Sequence, residues 1–260
     1  MKREIAVVGM VICVAAGFLT GWFIPPLFEG APGPTLVARI KARGSLIVGT
    51  DTPWPPFEMY NLSLGGFYGF DIDLSQMVAD ALNVTLQMTE LDFDVLVGSC
   101  VAGTIDMIAA AMFVTPDRAE QLAHSVPYIR TNMVVITKET TNITIDSLAN
   151  LTAYNVGVQT GTAEQFELDD LLIPYTDYPK ADVLMQSLLT DVNDVIFVDE
   201  PVFTAWSKTE DLKIIFTVLA EPTALFCRWE EPELMVIINE VILGAYTDGT
   251  LDALIDKWFT

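Results

Sequence analysis

Three places in the sequence pair a residue type with a position suited to binding chemistry, and very little suits covalent chemistry. Arg118 stands in Thr115-Pro116-Asp117-Arg118. There Thr115 reads as a helix N-cap and Pro116 as a first-turn residue. The planar guanidinium of Arg118 then lies beside unpaired backbone N–H groups and suits a carboxylate, with a surface capping residue as the alternative. Gly161-Thr162 opens another helix, whose positive end also suits an anion. Asp199 follows the apolar run Val195-Ile-Phe-Val198 and precedes Pro201. A carboxylate at that strand end suits an ammonium group, and a helix N-cap is the alternative. For nucleophilic or metal chemistry the chain offers one His (His124) and three Cys (Cys13, Cys100, Cys227), in no zinc-like spacing. His124 reads as a structural histidine, so no catalytic residue, metal or cofactor is expected.

The elements that must position these residues alternate between strand and helix patterns, the mark of an α/β fold. Strands are expected at 45–49, 84–88, 105–111, 154–158, 194–198 and 224–228, with an extended run over 126–137. A helical stripe over 71–82 places Ile72, Leu74, Met77, Val78, Ala81 and Leu82 on one face. Further helices are expected at 93–102, from 115, from 163, and over 181–190, 201–207, 231–246 and 251–259. No short repeat or low-complexity stretch is present.

The chain has 260 residues, 52% of them hydrophobic, enough for a real core. Lys and Arg number 13 and Asp and Glu 35, a net charge of −22. Residues 1–30 hold two of each sign, so the whole excess falls on the remainder. A surface that negative repels phosphate backbones and excludes a nucleic-acid partner. Lys2-Arg3 precedes an uncharged run from 5 to 24 that ends at Pro25-Pro26. At ~1.5 Å per residue that run matches a bilayer core, which gives a retained signal anchor, with Lys2 and Arg3 inside and the rest of the chain outside the cell, over a cleaved signal peptide. Residues 31–35 read as a breaker-rich linker. Four of the eight Asn residues (Asn61, Asn83, Asn142, Asn150) stand in Asn-x-Ser/Thr triplets, consistent with an extracellular glycoprotein. In that compartment Cys100 and Cys227 form a candidate disulfide, with two buried thiols as the alternative.

Seven ordered segments then carry a resemblance. They are Leu46-Ile-Val-Gly-Thr-Asp-Thr-Pro-Trp-Pro-Pro-Phe-Glu58, Gly69-Phe-Asp-Ile-Asp-Leu74, Ile105-Asp-Met-Ile-Ala-Ala-Ala-Met-Phe-Val-Thr-Pro-Asp-Arg118, Ser125-Val-Pro-Tyr128, Val156-Gly-Val-Gln-Thr-Gly-Thr162, Val198-Asp-Glu-Pro201, and Asp248-Gly-Thr250 with Lys257-Trp-Phe259. Together they resemble the polar amino-acid solute-binding proteins of ABC importers. The resemblance covers residues 36–260. It implies a two-lobe, type II periplasmic-binding-protein-like α/β fold, each lobe a sheet flanked by helices, joined by two hinge strands. Lobe I would comprise 36–128 and 221–260, lobe II 129–220, and the hinges would lie near 127–129 and 220–223.

The same resemblance implies a ligand and its contacts. Arg118 and the Gly161-Thr162 helix start would hold an amino acid's carboxylate from opposite lobes. Asp199, helped by the Ala111 carbonyl, would hold its ammonium. Trp54 and Phe93 would form aromatic walls, Asp51 would pair with a cationic tip, and Gln159 would bond a polar tip. One residue departs from the family pattern: Phe113 stands where Ser or Thr is usual, which removes a hydroxyl from the carboxylate site and narrows the pocket. Arginine or lysine is the favoured ligand, then glutamine or histidine. A monomer that works with membrane permease subunits is expected. A ligand-sensing domain and a dehydratase-like enzyme recruiting Asp51, Glu58 or Asp199 are the rival readings.

Overall fold

The computed structural model describes residues 33–63 and 65–260. The apolar segment read as an anchor lies outside the described residues. Thr35–Thr260 forms one compact unit.

Its first half begins with α1 (Leu36–Arg43) and β1 (Ser45–Thr50), then a hairpin of β2 (Met59–Asn61) and β3 (Gly66–Tyr68). Next come α2 (Phe70–Leu82), β4 (Thr85–Glu90), a 3-10 turn at Phe93–Val95, α3 (Leu96–Ala102), β5 (Met107–Ile108), α4 (Pro116–Gln121) and β6 (Ala123–His124). The second half holds β7 (Asn132–Lys138), a 3-10 turn at Leu148–Ala153, β8 (Val156–Gln159), α5 (Ala163–Asp170), β9 (Thr176–Tyr178), α6 (Ala181–Leu189), β10 (Val195–Asp199), α7 (Glu200–Trp206) and β11 (Leu212–Leu219). The chain then returns through β12 (Phe226–Cys227), α8 (Pro232–Asp248) and α9 (Thr250–Phe259).

Two five-stranded mixed sheets result, in the orders β4-β1-β5-β12-β6 and β11-β7-β10-β8-β9. The chain passes between them twice, from β6 to β7 and from β11 to β12. Every strand of the first sheet falls within 36–128 or 221–260, and every strand of the second within 129–220. The two passages run antiparallel and pair: Thr223 N–H donates to Ile129 O at 3.0 Å, and Tyr128 N–H to Thr223 O at 3.1 Å. Among the described residues no single helix is long and apolar enough to cross a membrane.

The apolar patterns explain the packing. β10 is buried along its whole length, as a central strand covered on both faces must be. Each such Val or Ile adds about 1.5–3 kcal/mol by leaving water. The stripe of α2 turns Leu74, Val78, Ala79 and Leu82 into the largest core cluster. Two expected strands are much shorter than their apolar runs. The 105–111 run pairs only at Met107–Ile108, because the chain bends away and Ala111 takes φ +49°. The 224–228 run pairs only at Phe226–Cys227, because Ala224 N–H and Thr223 N–H bond Met112 and Ile129 instead.

Cys100 and Cys227 are free, buried thiols, so the candidate disulfide gives way to its alternative. The cause is facing: Cys100 packs with Phe226 and Ile108 on one side of the first sheet, and Cys227 joins the cluster on the other side. Burial pushes each thiol up to about 12. Two of the Asn-x-Ser/Thr asparagines have structural roles. Asn83 is the left-handed C-cap of α2, and Asn150 forms a capping box with Ser147.

Gly69, at the start of α2, has φ +140°, and a Cβ there would lie 2.1 Å from Phe57 O. That carbonyl accepts the Asp71 N–H at 2.9 Å, so it cannot retreat freely. Gly69→Ala should therefore destabilise the fold by about 2–4 kcal/mol and lower the thermal midpoint by roughly 5 °C or more. Calorimetry of the variant beside the parent chain checks this; an unchanged midpoint contradicts the close approach.

Candidate functional site

The C-terminal ends of β1, β4, β5, β8 and β10 all point to the seam between the two sheets, where open α/β sheets offer ligand crevices. From the first half, the turn after β1 presents Asp51, Trp54 and Glu58. It is held tight by Trp54 N–H to Glu58 O at 2.8 Å and Phe57 N–H to Trp54 O at 2.9 Å. Phe93 enters from the 3-10 turn after β4, and Ala111 and Phe113 follow β5. Arg118 stands in the first turn of α4, whose N-cap Thr115 accepts its backbone N–H. From the second half come Gln159 at the end of β8, Thr162 as N-cap of α5, Glu164 in that helix's first turn, and Asp199 at the end of β10.

Nine of the ten residues expected at a ligand site line one cavity: Asp51, Trp54, Phe93, Ala111, Phe113, Arg118, Gln159, Thr162 and Asp199. The tenth, Gly161, stands just outside, and its carbonyl accepts Arg118 Nη2 at 2.9 Å. Its φ of +79°, and the 2.8 Å that a Cβ would leave to Asp94 Cα, make glycine the residue that lets the halves approach here. His124 lies on β6, outside the cavity lining, with Nδ1 against Ser125 O.

The halves are latched across the seam. Trp54 Nε1–H donates to Asp199 Oδ2 at 2.8 Å, and Gln159 Nε2 to Asp51 Oδ2 at 2.6 Å. Lys180, just before α6, is hydrogen-bonded to the other Asp51 oxygen and lies 3.1 Å from Asp92 Oδ1. The space enclosed is about 10 Å³, room for one water.

Asp199 sits at the N-cap position of α7 without capping it; its side chain turns to Trp54 and Glu164 instead. Arg118 is buried between rings, with Cζ 5.3 Å from the Phe93 centroid and 5.8 Å from that of Phe166. Its Nη1 donates to Phe113 O at 2.7 Å. Burial lowers its pKa to about 10, against the supporting charges of Glu164 and Asp199.

The acids show the opposite trend. Burial raises Asp51 to about 6, although the bond and charge of Lys180 and the Gln159 amide pull it down. Glu58 is only 1% exposed, and neither of its carboxyl oxygens has a partner. Burial, then the charges of Asp71, Asp51 and Asp199, hold its pKa well above the carboxylate range. Glu164 and Asp199 are buried facing each other; burial raises both, and the charge of Glu164 raises Asp199 further. Burial likewise opposes the charge of Lys180, but its bond to Asp51, the Asp51 charge and Asp92 outweigh this and raise it. Behind the wall, Asp71 Oδ2 accepts from Ala111 N–H and Tyr128 Oη–H, each at 2.8 Å.

Sequence reasoning missed Glu164 and Lys180 and gave Glu58 only an enzymatic role. A Glu in a helix's first turn reads as a solvated partner of the helix dipole, and Lys180 is 129 residues from Asp51. Only the closure of one half on the other buries them together.

Residues 46–260 match the bacterial extracellular solute-binding proteins, family 3. The arginine-binding protein 1 of an Escherichia coli ABC transporter is 26% identical over 231 residues, 84% of this chain and 92% of that protein. The P235GK mutant of ArgBP from T. maritima superposes with a TM-score of 0.82 at 30% identity, over 86% of this chain and 98% of that one. The ancestral amino-acid-binding protein AncCDT-1, a precursor of cyclohexadienyl dehydratase, superposes with a TM-score of 0.80 at 26% identity, over 87% and 100% of the two chains. The architecture is thus the two-lobe, type II periplasmic-binding-protein-like α/β fold. The chain belongs to the bacterial extracellular solute-binding proteins, family 3.

Proposed function

We propose that this chain is the extracellular substrate-binding component of an ABC amino-acid importer and that it takes a polar or basic L-amino acid, arginine or lysine first, glutamine or histidine next. The observation that carries this reading is the convergence of nine expected contact residues, from both halves, on one closed cavity. In it Arg118 and the α5 N-terminus receive the ligand's carboxylate, with the Gly161-Thr162 turn bringing them together. Asp199 and the Ala111 carbonyl receive the ammonium. Trp54 and Phe93 flank the side chain, Gln159 bonds a polar tip and Asp51 pairs with a cationic one, while the Phe113 ring closes the wall. Residues 36–128 with 221–260 and residues 129–220 act as two bodies bending at 127–129 and 220–223. Ligand bridging both replaces the cross-seam latches, and permease subunits read the closed form. The protein acts as a monomer tethered by residues 1–30 through the 31–35 linker, glycosylated at exposed Asn-x-Ser/Thr sites. It binds without turnover. Release of a chemically altered ligand would instead support an enzyme such as a dehydratase.

A thermal-shift screen of the full chain against the twenty L-amino acids tests the reading. A ligand at 100 times its Kd adds about 2.7 kcal/mol, a shift of several degrees. Arginine or lysine is expected to give the largest shift, and silence across the panel sinks the proposal. Arg118→Ala should weaken any amino acid at least a hundredfold, on the order of 3 kcal/mol, because the ligand's carboxylate is left buried and unpaired. Calorimetric titration of the folded variant checks this, and unchanged affinity would remove Arg118 from the site. Asp51→Asn leaves Lys180 without its buried counter-charge and should weaken basic ligands selectively; equal loss for neutral ones contradicts its role.

The raised acids also set a pH dependence. Asp51 at about 6 and Asp71 at about 7 keep protons in the folded chain that an unfolded Asp loses near ~3.9. Glu58 and Asp199 shift the same way. The folded state therefore binds more protons than the unfolded state between about pH 4 and 7, and stability rises as pH falls through that window. The thermal midpoint of the chain without ligand should be higher at pH 5 than at pH 7.5. A midpoint that drops steadily on acidification contradicts the burial of these acids.

A further inference from the structure

The cavity lining is unbalanced in a way that points to its ligand. Four carboxyl groups face it: Asp51, Glu58, Glu164 and Asp199. Two cations answer them, Arg118 on the lining and Lys180 on Asp51. Among the described residues, the buried side-chain atoms on this lining that lack a partner are Glu58 Oε1 and Oε2, while Glu164 Oε1 and Asp199 Oδ1 have no donor beyond the carboxyl group each residue faces in the other. All four are acceptors. Glu58, Glu164 and Asp199 are 1%, 2% and 3% exposed, so solvent cannot supply the missing donors. Asp71 Oδ1 also lacks a partner, but Asp71 stands behind the wall and not on the lining.

The anion-binding corner is already supplied. Burial is the largest influence and raises Glu164, but its own backbone N–H, the Thr162 hydroxyl and the charge of Arg118 each favour its ionised form. These are the groups that an incoming carboxylate would use. Two guanidinium donors of Arg118 are directed to the carbonyls of Phe113 and Gly161, and Phe113 contributes no hydroxyl. The corner thus holds a carboxyl group of the chain's own, while nothing on the lining donates to Glu58.

Charge balance decides which ligand suits this arrangement. Burial favours the neutral forms of Glu58, Glu164 and Asp199 in the empty cleft, and for all four acids to be ionised a ligand must bring two positive charges. A neutral zwitterion supplies none of them, and arginine or lysine supplies one. An organic dication with no carboxylate supplies both, and an uncompensated buried charge is the largest penalty in such a site. Trp54 and Phe93 can flank its methylenes or a guanidinium equally well. Resting on the reading of the cleft as a site for basic amino compounds, we propose that it also accepts carboxylate-free dications, diamines and guanidino-amines, with Glu164 supplying in cis the carboxylate these ligands lack.

Isothermal titration of the full chain at pH 7.5 with arginine, agmatine, lysine and cadaverine tests this, with the Glu164→Gln variant alongside. Agmatine and cadaverine are expected to bind within about tenfold of, or more tightly than, arginine and lysine. In Glu164→Gln three acids remain, which a monocation balances and a dication does not. The agmatine-to-arginine affinity ratio should therefore fall at least tenfold, a change that simple misfolding, which weakens both, does not produce. If arginine or lysine binds and both amines are a hundredfold weaker or more, this proposal fails and the importer reading stands. An unchanged ratio in Glu164→Gln shows that Glu164 does not stand in for the ligand's carboxylate and overturns that role. If the amino acids fail and the amines bind, the ligand class moves to amines. If none of the four binds, this proposal fails, and the panel of twenty amino acids decides the importer reading.

Discussion

The carboxyl group of Asp71 is the constraint on which the site wall depends. It stands in the first turn of α2, wholly buried, and one of its oxygens accepts from both Ala111 N–H and Tyr128 Oη–H. Those two donors belong to different parts of the fold: the chain leaving β5 and the passage from the first sheet to the second. Ala111 holds φ +49°, a conformation that an L-residue adopts at a cost of about 1–2 kcal/mol. The buried hydrogen bond offsets that cost, since breaking it would leave a carboxyl oxygen bare in the core. The turn at Ala111 in turn directs Phe113 and the start of α4, and through them Arg118.

Around this fixed wall the cleft is built from opposed tendencies. Strand ends and helix starts bring polar groups to the seam, and closure then strips them of water. The cations respond by pairing: Lys180 with Asp51 and Asp92, Arg118 with two carbonyls and two rings. The acids outnumber them and respond by holding protons. A structural protein would gain stability by replacing several of these acids with apolar groups of like volume. Their concentration in one small cavity is the pattern expected where binding, and not stability, governs residue choice.

The sequence carried the layout of the fold and most of the residues lining the candidate cavity because both rest on local signals. An apolar run such as 195–198, a Thr-Pro helix start before Arg118 and the ordered segments of the family can be read without knowing what packs against them. What was lost needs the partner. Leu212–Leu219 is an edge strand with a bulge between Ile214 and Phe216, which breaks the two-residue alternation that would have revealed it. The hairpin strands at 59–61 and 66–68 are too short for a pattern to develop. Glu164 and Lys180 have nothing in their own neighbourhoods to mark them as buried. The same holds for the cysteines, whose side of the sheet is fixed by register and not by spacing.

Thr223 gives the passages between the sheets a further property. It pairs on one side with Ile129 in the outgoing passage and on the other with Phe113 in the wall of the cavity. Three strands of backbone, two of them the covalent connections and the third part of the pocket itself, are thereby sewn into one ribbon. A twist of the connections therefore carries Phe113 with it, and any ligand that shifts Phe113 applies torque to the connections. Pocket shape and the angle between the halves become one mechanical coordinate, so the outer surfaces of the halves carry the shape of the pocket.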